Sequence, residues 1–152
     1  MEEQEMGNFN VTIHIETSMH GPAMRKGAGE WLIEYIKKNG DTETRQGILA
    51  KEKTSENALS LELMAAAFKK LTKPCNVTVY TQCQHILNVM QNGWLAQWEK
   101  NDWKKAGGKE IKNLELWQQC REAMKPHAVG FTSGSHSYTN VMQAEIRKEI
   151  EK

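Results

Sequence analysis

The sequence predicts an α/β fold, a five-stranded mixed sheet flanked by helices. Three observations carry this expectation. Strand-like alternation dominates the first 50 residues, the hydrophobic spacing then changes to a helical period, and helical and strand-like segments alternate from there to the end. An order of three strands, a helix, a strand, further helices, a strand and a last helix suits one sheet covered by helices.

Each element has its own signal. Val11, Ile13 and Ile15 alternate with Thr12, His14 and Glu16, the period-2 pattern of a half-buried strand. Gly21, Pro22, Gly27 and Gly29 mark Met19 to Gly29 as a loop. Trp31 to Ile36 reads as the second strand, Asn39-Gly40-Asp41 as a hairpin turn, and Arg45 to Leu49 as the third strand. Ser55 to Leu71 is helical, with Leu59, Leu63, Met64, Ala67, Phe68 and Leu71 at helical spacing. Ser55 and Glu56 suit its start, where a hydroxyl caps free N–H groups and a carboxylate meets the positive end of the helix dipole. Pro74 ends the helical region, and Asn76 to Thr81 is the fourth strand. Residues 82–98 are helical with a break near Gly93, and Asn101 to Lys112 is a polar loop. Asn113 to Met124 is helical, with Leu114, Leu116, Trp117 and Cys120 on one side, and Pro126 closes it. Ala128 to Thr132 is the fifth strand, Ser133 to Thr139 a loop of small residues, and Asn140 to Lys152 a charged helix.

Composition bounds the function. The chain has 152 residues, 39% hydrophobic and 26% charged, which suits one ordered domain over residues 1–152. Residues 1–9 are expected to be a flexible extension, since Met1 to Glu5 is acidic and polar. That start lacks the basic region and apolar run of a signal peptide, and no stretch approaches the roughly 20 apolar residues of a membrane span. The three cysteines, Cys75, Cys83 and Cys120, form no CxxC pair, which argues against zinc and for a reduced, cytoplasmic setting. The net charge is only +1, so any attraction to nucleic acid must come from a local patch.

Glu62-Leu63-Met64-Ala65-Ala66 and the tryptophans Trp94, Trp98, Trp103 and Trp117 stand in a recognisable pattern. So do Trp98 to Lys104 and Lys112 to Trp117, a basic segment and the helix after it. Over roughly residues 10–148 this pattern resembles the bacterial-type ribonuclease HI family. The resemblance implies a ribonuclease H-like fold and cleavage of the RNA strand of RNA/DNA hybrids. It also implies four carboxylates holding two Mg²⁺ ions about 4 Å apart, where they stabilise the attacking and leaving oxygens of an in-line displacement.

Matched position by position, that carboxylate set is incomplete. The first-strand aspartate corresponds to Glu16, longer by one methylene, and the helix glutamate is kept as Glu62. The aspartate ending the fourth strand corresponds to Gln82, which offers a carbonyl oxygen and no charge. The last carboxylate position falls on Ala144 when Asn140 is matched to the family's asparagine. Glu145 is adjacent, but one residue along a helix turns a side chain by about 100°. His136 stands two residues from the family's loop histidine in an ungapped match. Met19 to Met24 replaces a glycine-rich turn, and Ala58-Leu59-Ser60 replaces asparagines, with Asn57 nearby. Glu16, Glu62 and Gln82 are therefore the catalytic candidates, and Glu16 and Glu62 a residual cation site for Mg²⁺ or Mn²⁺.

Against these stand simpler readings. Glu16 and Glu62 are equally readable as polar remnants. Lys100, Lys104, Lys105, Lys109 and Lys112 suit phosphate contact or a solvated loop; Glu99, Asp102 and Glu110 among them leave a net of 5 − 3 = +2. Core packing is the simpler reading of the tryptophans, with Trp103, beside the polar loop, the exception that suits base contact. The leading expectation is a diverged ribonuclease H-like protein that binds an RNA/DNA hybrid or duplex, with hydrolysis lost or weak. An active metal-dependent hybrid endoribonuclease with an altered carboxylate set and a protein-interaction module on the same fold remain open.

Overall fold

A computed structural model of the chain describes residues 9–152. Most of the extension expected over residues 1–9 lies outside the described residues; Phe9 itself opens the first strand, β1 (Phe9–Thr17). There follow β2 (Arg25–Ile36), β3 (Thr42–Thr54), α1 (Glu56–Lys69), β4 (Cys75–Thr81), α2 (Gln84–Gln91) and α3 (Trp94–Lys100). A 3₁₀ turn (Ala106–Gly108), α4 (Leu114–Met124), β5 (Ala128–Thr132) and α5 (Thr139–Glu151) complete the order.

The sheet runs β3-β2-β1-β4-β5. β1, β2 and β3 pair antiparallel, whereas β4 lies parallel to β1 and β5 parallel to β4. The mixed five-stranded sheet flanked by helices expected from the sequence is therefore the observed fold.

Two strands are longer than their alternation suggests. β2 begins at Arg25 rather than Trp31, so the segment read as loop is partly strand. Gly27 and Gly29 are there for closeness, not for a turn. A Cβ on Gly27 would lie 2.4 Å from the Met19 sulfur, and one on Gly29 would lie 2.5 Å from a Leu63 methyl. β3 extends over Thr42–Thr54, well past Arg45 to Leu49, because exposed polar residues continue its pairing with β2.

Strand alternation sends the two faces of the sheet to different neighbours. Val11, Ile13 and Ile15 of β1 join Leu59, Leu63, Met64 and Phe68 of α1 and Trp117 and Cys120 of α4 in the apolar core. Ser55 caps α1, its hydroxyl accepting from the Ala58 N–H at 3.2 Å. Thr12, His14 and Glu16 point to the other face, where α5 packs on β2, β1 and β3. α5 docks there by burying Met142 and Ile146 completely, each contributing roughly 1.5–3 kcal/mol. The layer around them is polar, and it holds the candidate site.

Among the described residues no helix is long and apolar enough to cross a membrane.

Candidate functional site

Glu16 stands near the end of β1, where the parallel pair β1–β4 presents its carboxyl ends, the usual ligand-binding edge of such sheets. It is buried, 6% exposed. Both of its oxygens are bonded. Oε2 lies 2.8 Å from His136 Nε2, and Oε1 accepts from the Gln143 side-chain amide at 2.7 Å. The same amide nitrogen lies 3.3 Å from the Thr17 carbonyl. His136 Nδ1 accepts from the Tyr138 backbone N–H at 3.2 Å, so in the neutral ring the proton sits on Nε2 and is donated to Glu16.

Behind this pair lies an aromatic and acidic network. His14, 4% exposed, stacks on Tyr80 with ring centres 4.9 Å apart and meets His136 at 4.3 Å. Burial, then the neighbouring His136, pulls the His14 pKa down to about 4, so the ring is neutral at pH 7. Its Nε2 lies 2.9 Å from the Thr12 hydroxyl, and its Nδ1 has no partner. The Tyr138 hydroxyl donates to Glu34 at 2.5 Å, and that bond, then burial, pushes its pKa up to about 12.

A small cleft opens beside Glu16, lined among others by Glu56, Ser60, Thr81, Gln82 and Cys83. It encloses about 10 Å³, room for about one water molecule. Glu56, from the first turn of α1, accepts there from the Gly21 N–H at 3.0 Å. Glu62 is turned elsewhere on the same helix and pairs with Lys51 of β3 at 3.0 Å. Of the three catalytic candidates, Glu16 and Gln82 thus share the cleft, and Glu62 is engaged by a lysine.

At α5 the register differs by one residue from the sequence reading. The side chain that reaches Glu16 is Gln143, not Ala144. Met142 and Ile146 define the buried stripe of α5, and Ala144 lies about 200° around the helix from each. Gln143 and Glu145 flank the stripe on its two sides. Glu145 accordingly meets Gln46 of β3, away from Glu16. The four-residue spacing of Met142 and Ile146 was the available signal for this register. His136 reaches Glu16 from the loop before α5.

A second concavity, of about 590 Å³, lies between α2, α3 and the loop after α3. His85, Trp94, Gln97, Trp98, Asn101, Lys104 and Lys105 line it. Trp94 is 41% exposed, whereas Trp117 and Trp98 are buried and stack edge to face at 5.8 Å. Trp103 is half-buried against the core, its backbone held in the left-handed region at φ 60°. The tryptophan open to a ligand is therefore Trp94. Burial lowers the His85 pKa, and Lys105 and Lys112 lower it further, so this wall is positive through its lysines alone. Lys100, Lys104, Lys105, Lys109 and Lys112 are all exposed. Glu99 is drawn away to Arg121 at 3.0 Å and Lys125 at 3.8 Å. The loop then presents five lysines against Asp102 and Glu110, 5 − 2 = +3.

The family model for RNase H matches residues 10–136. The chain belongs to the RNase H family. The ribonuclease H of Caldicellulosiruptor saccharolyticus is 37% identical over 105 residues, 69% of this chain and 70% of that protein. That of Caldanaerobacter subterraneus subsp. tengcongensis is 28% identical over 151 residues, 97% and 96% of the two. Among solved structures, LC9-RNase H1, described as a type 1 RNase H with the type 2 active-site motif, superimposes with a TM-score of 0.72 at 23% identity. The match covers 93% of this chain and 70% of that one. The foamy viral protease-reverse transcriptase in complex with RNA/DNA hybrid gives 0.65 at 12% identity, over 91% of this chain and 19% of that one.

The metal pair implied by the RNase H family can be set against these side chains. Hard divalent ions need charged or carbonyl oxygens. Here both Glu16 oxygens face N–H donors, Gln82 and Gln143 are neutral, and Glu62 is paired with Lys51. The cleft beside them has room for about one water. The residues do not fit a two-ion centre.

Proposed function

We propose that this RNase H-family protein binds RNA/DNA hybrid or a related duplex without hydrolysing it. The engagement of both Glu16 oxygens by His136 and Gln143 carries this reading. A carboxylate so held has its negative charge already met by an N–H donor on each oxygen, and an ion must compete with both. The binding surface in this reading is the groove of Trp94, Lys104 and Lys105, with Lys100, Lys109 and Lys112 extending its positive rim. Exposed lysines supply sequence-independent attraction to phosphates, and an open indole supplies a face for a sugar or base. Trp103 supports the loop from beneath.

The test is a labelled RNA/DNA hybrid incubated with excess protein in Mg²⁺ and then Mn²⁺, alongside equilibrium binding over a range of salt. The expected result is no cleavage by folded protein and an affinity that falls steeply with salt. Cleavage abolished by Glu62→Gln or Glu16→Gln would instead establish an active nuclease with an altered metal set. Absence of binding at low salt would leave the fold serving a protein partner.

A further inference from the structure

We infer that Glu30, Glu145 and Gln46 form a binding site for one hard divalent cation of the Mg²⁺, Mn²⁺ or Ca²⁺ class, between α5 and the β2–β3 hairpin. None of the three occupies one of the four positions matched to the family's site, and the inference does not depend on nucleic-acid binding.

Glu30 lies within β2 and is fully buried, 0% exposed. Its Oε2 accepts from the Gln46 amide at 2.8 Å, and its Oε1 has no partner. Glu145 arrives from α5, and its two oxygens lie 3.2 and 3.5 Å from that same Gln46 nitrogen. One NH₂ group with two hydrogens is thus set against three carboxylate oxygens. The two carboxyl groups thus converge on one amide nitrogen. Ionised carboxylates only accept, so their meeting requires a positive species between them. Among the described residues the charge that acts on Glu30 is that of Glu145, which is negative.

In the absence of a cation a proton takes that place. Burial first, then Glu145, pushes the Glu30 pKa up to about 8. A divalent ion answers the same geometry more completely, because Glu30 keeps an unbonded oxygen, Oε1, free to take a ligand position. Gln46 adapts to it by turning its amide over, a choice fixed only by its hydrogen bonds, which puts a carbonyl oxygen where the NH₂ stands. The donors are then all oxygen, the preference of hard ions and not of zinc. Gln46 is exposed and Glu145 half-buried, so the site opens to solvent and the ion keeps water ligands, as Mg²⁺ and Ca²⁺ do. Among the described residues no group of three His, Cys, Asp or Glu is arranged for a metal, consistent with two carboxylates, an amide and water rather than a closed cage.

The position gives the ion a structural role. Glu30 is the cross-strand neighbour of Glu16, and Glu145 follows Gln143 on α5. An ion bridging Glu30 and Glu145 pins α5 to the sheet beside the contact that holds Gln143 on Glu16.

The full chain tests this by titration with Mn²⁺, Mg²⁺ and Ca²⁺ separately, following the thermal midpoint and, with Mn²⁺, paramagnetic broadening of the Gln46 side-chain amide signal. The expected result is a saturable rise in midpoint and selective broadening of Gln46. Loss of a mere supporting residue weakens metal sites 10–100-fold, so Glu30→Gln and Glu145→Gln should weaken the response by roughly 100-fold or more. Glu16→Gln and Glu62→Gln should retain it. No rise and no broadening in the folded wild-type chain overturns the inference and leaves a shared proton between the carboxyls. A response that survives Glu30→Gln, or that vanishes in Glu62→Gln with the Gln46 signal sharp, overturns it equally. The broadening experiment on the wild-type chain decides even if a variant fails to fold.

Discussion

Gln143 donates its side-chain amide to Glu16 across 2.7 Å, joining α5 to the central strand of the sheet. In the family's pattern the last helix brings a second carboxylate towards the first-strand acid, and the two repel unless cations lie between them. An amide reverses the sign of that contact. The arrangement is self-sufficient without metal, because a buried acid is stabilised by N–H donors from Gln143 and His136.

Restoring charge should therefore restore metal dependence. Gln143→Asp places a carboxylate beside the buried Glu16 and removes a donor from it, so the metal-free protein should lose roughly 1–3 kcal/mol of stability. Combined with Gln82→Asp, it should gain hybrid cleavage, absent from the parent, and a midpoint rise with Mn²⁺ larger than the parent's. Chemical denaturation with and without Mn²⁺, together with the cleavage assay, checks both parts. A double variant that folds, responds to Mn²⁺ no more than the parent and does not cleave would show that the cleft itself, not the missing charge, blocks the ions.

His136 is expected to matter for stability rather than turnover. Its ring and the Glu16 carboxylate are both almost completely buried, 4% and 5% exposed. His136→Ala leaves one Glu16 oxygen without its donor, which costs about 1–3 kcal/mol. Urea unfolding should show the loss, and His136→Gln, which can still donate an N–H, should recover part of it.

The two outer tryptophans should separate by phenotype. Trp94→Ala is expected to weaken hybrid binding with little change in the unfolding midpoint, because its ring is open to solvent beside Lys104 and Lys105. Trp103→Ala is expected to lower stability, because that ring packs on the core. Lys104→Gln and Lys105→Gln should each reduce the salt slope of binding by about one. Binding isotherms at several salt concentrations, with parallel melts, distinguish the two classes.

Much of this arrangement was legible in the sequence where hydrophobic period and polarity agreed. The alternation of β1 placed Glu16 on the polar face, and the spacing from Leu59 to Phe68 placed α1 against the core. The boundaries of β2 were hidden because Gly27 and Gly29 read as turn formers, whereas their use is the close approach of Met19 and Leu63. Gln143 was hidden behind the loop from Ser133 to Ser137, which has no apolar residue to fix its length. Only the buried pair Met142 and Ile146 sets the helix phase. Glu62 looked like a cleft residue in the motif, and its engagement by Lys51 depends on β3 running on beyond Leu49. Trp103 sits half-buried on a left-handed backbone that it shares with Asp102, which no spacing rule foretells.

The dependence of stability on pH should have two opposed parts. Glu30, raised in the folded state to about 8, binds its proton more tightly when folded than when unfolded. Its contribution is complete below the unfolded value of 4.5 and is lost as pH rises through about 8. His14, lowered to about 4, does the opposite: its contribution is complete above 6.5 and is lost as pH falls through about 4. Between 4.5 and 6.5 the two slopes cancel in part, and between 6.5 and 8 Glu30 acts alone. Without divalent cations, stability should therefore decline from pH 6.5 to 8 by at most about 1.4 kcal/mol per pH unit. Glu30→Gln should flatten that limb and uncover the full His14 slope between about 4 and 6.5, while His14→Gln should keep the alkaline decline and extend it down towards 4.5. Urea midpoints of the three proteins across this range decide the matter, since an alkaline decline unchanged in Glu30→Gln would place the proton on another group.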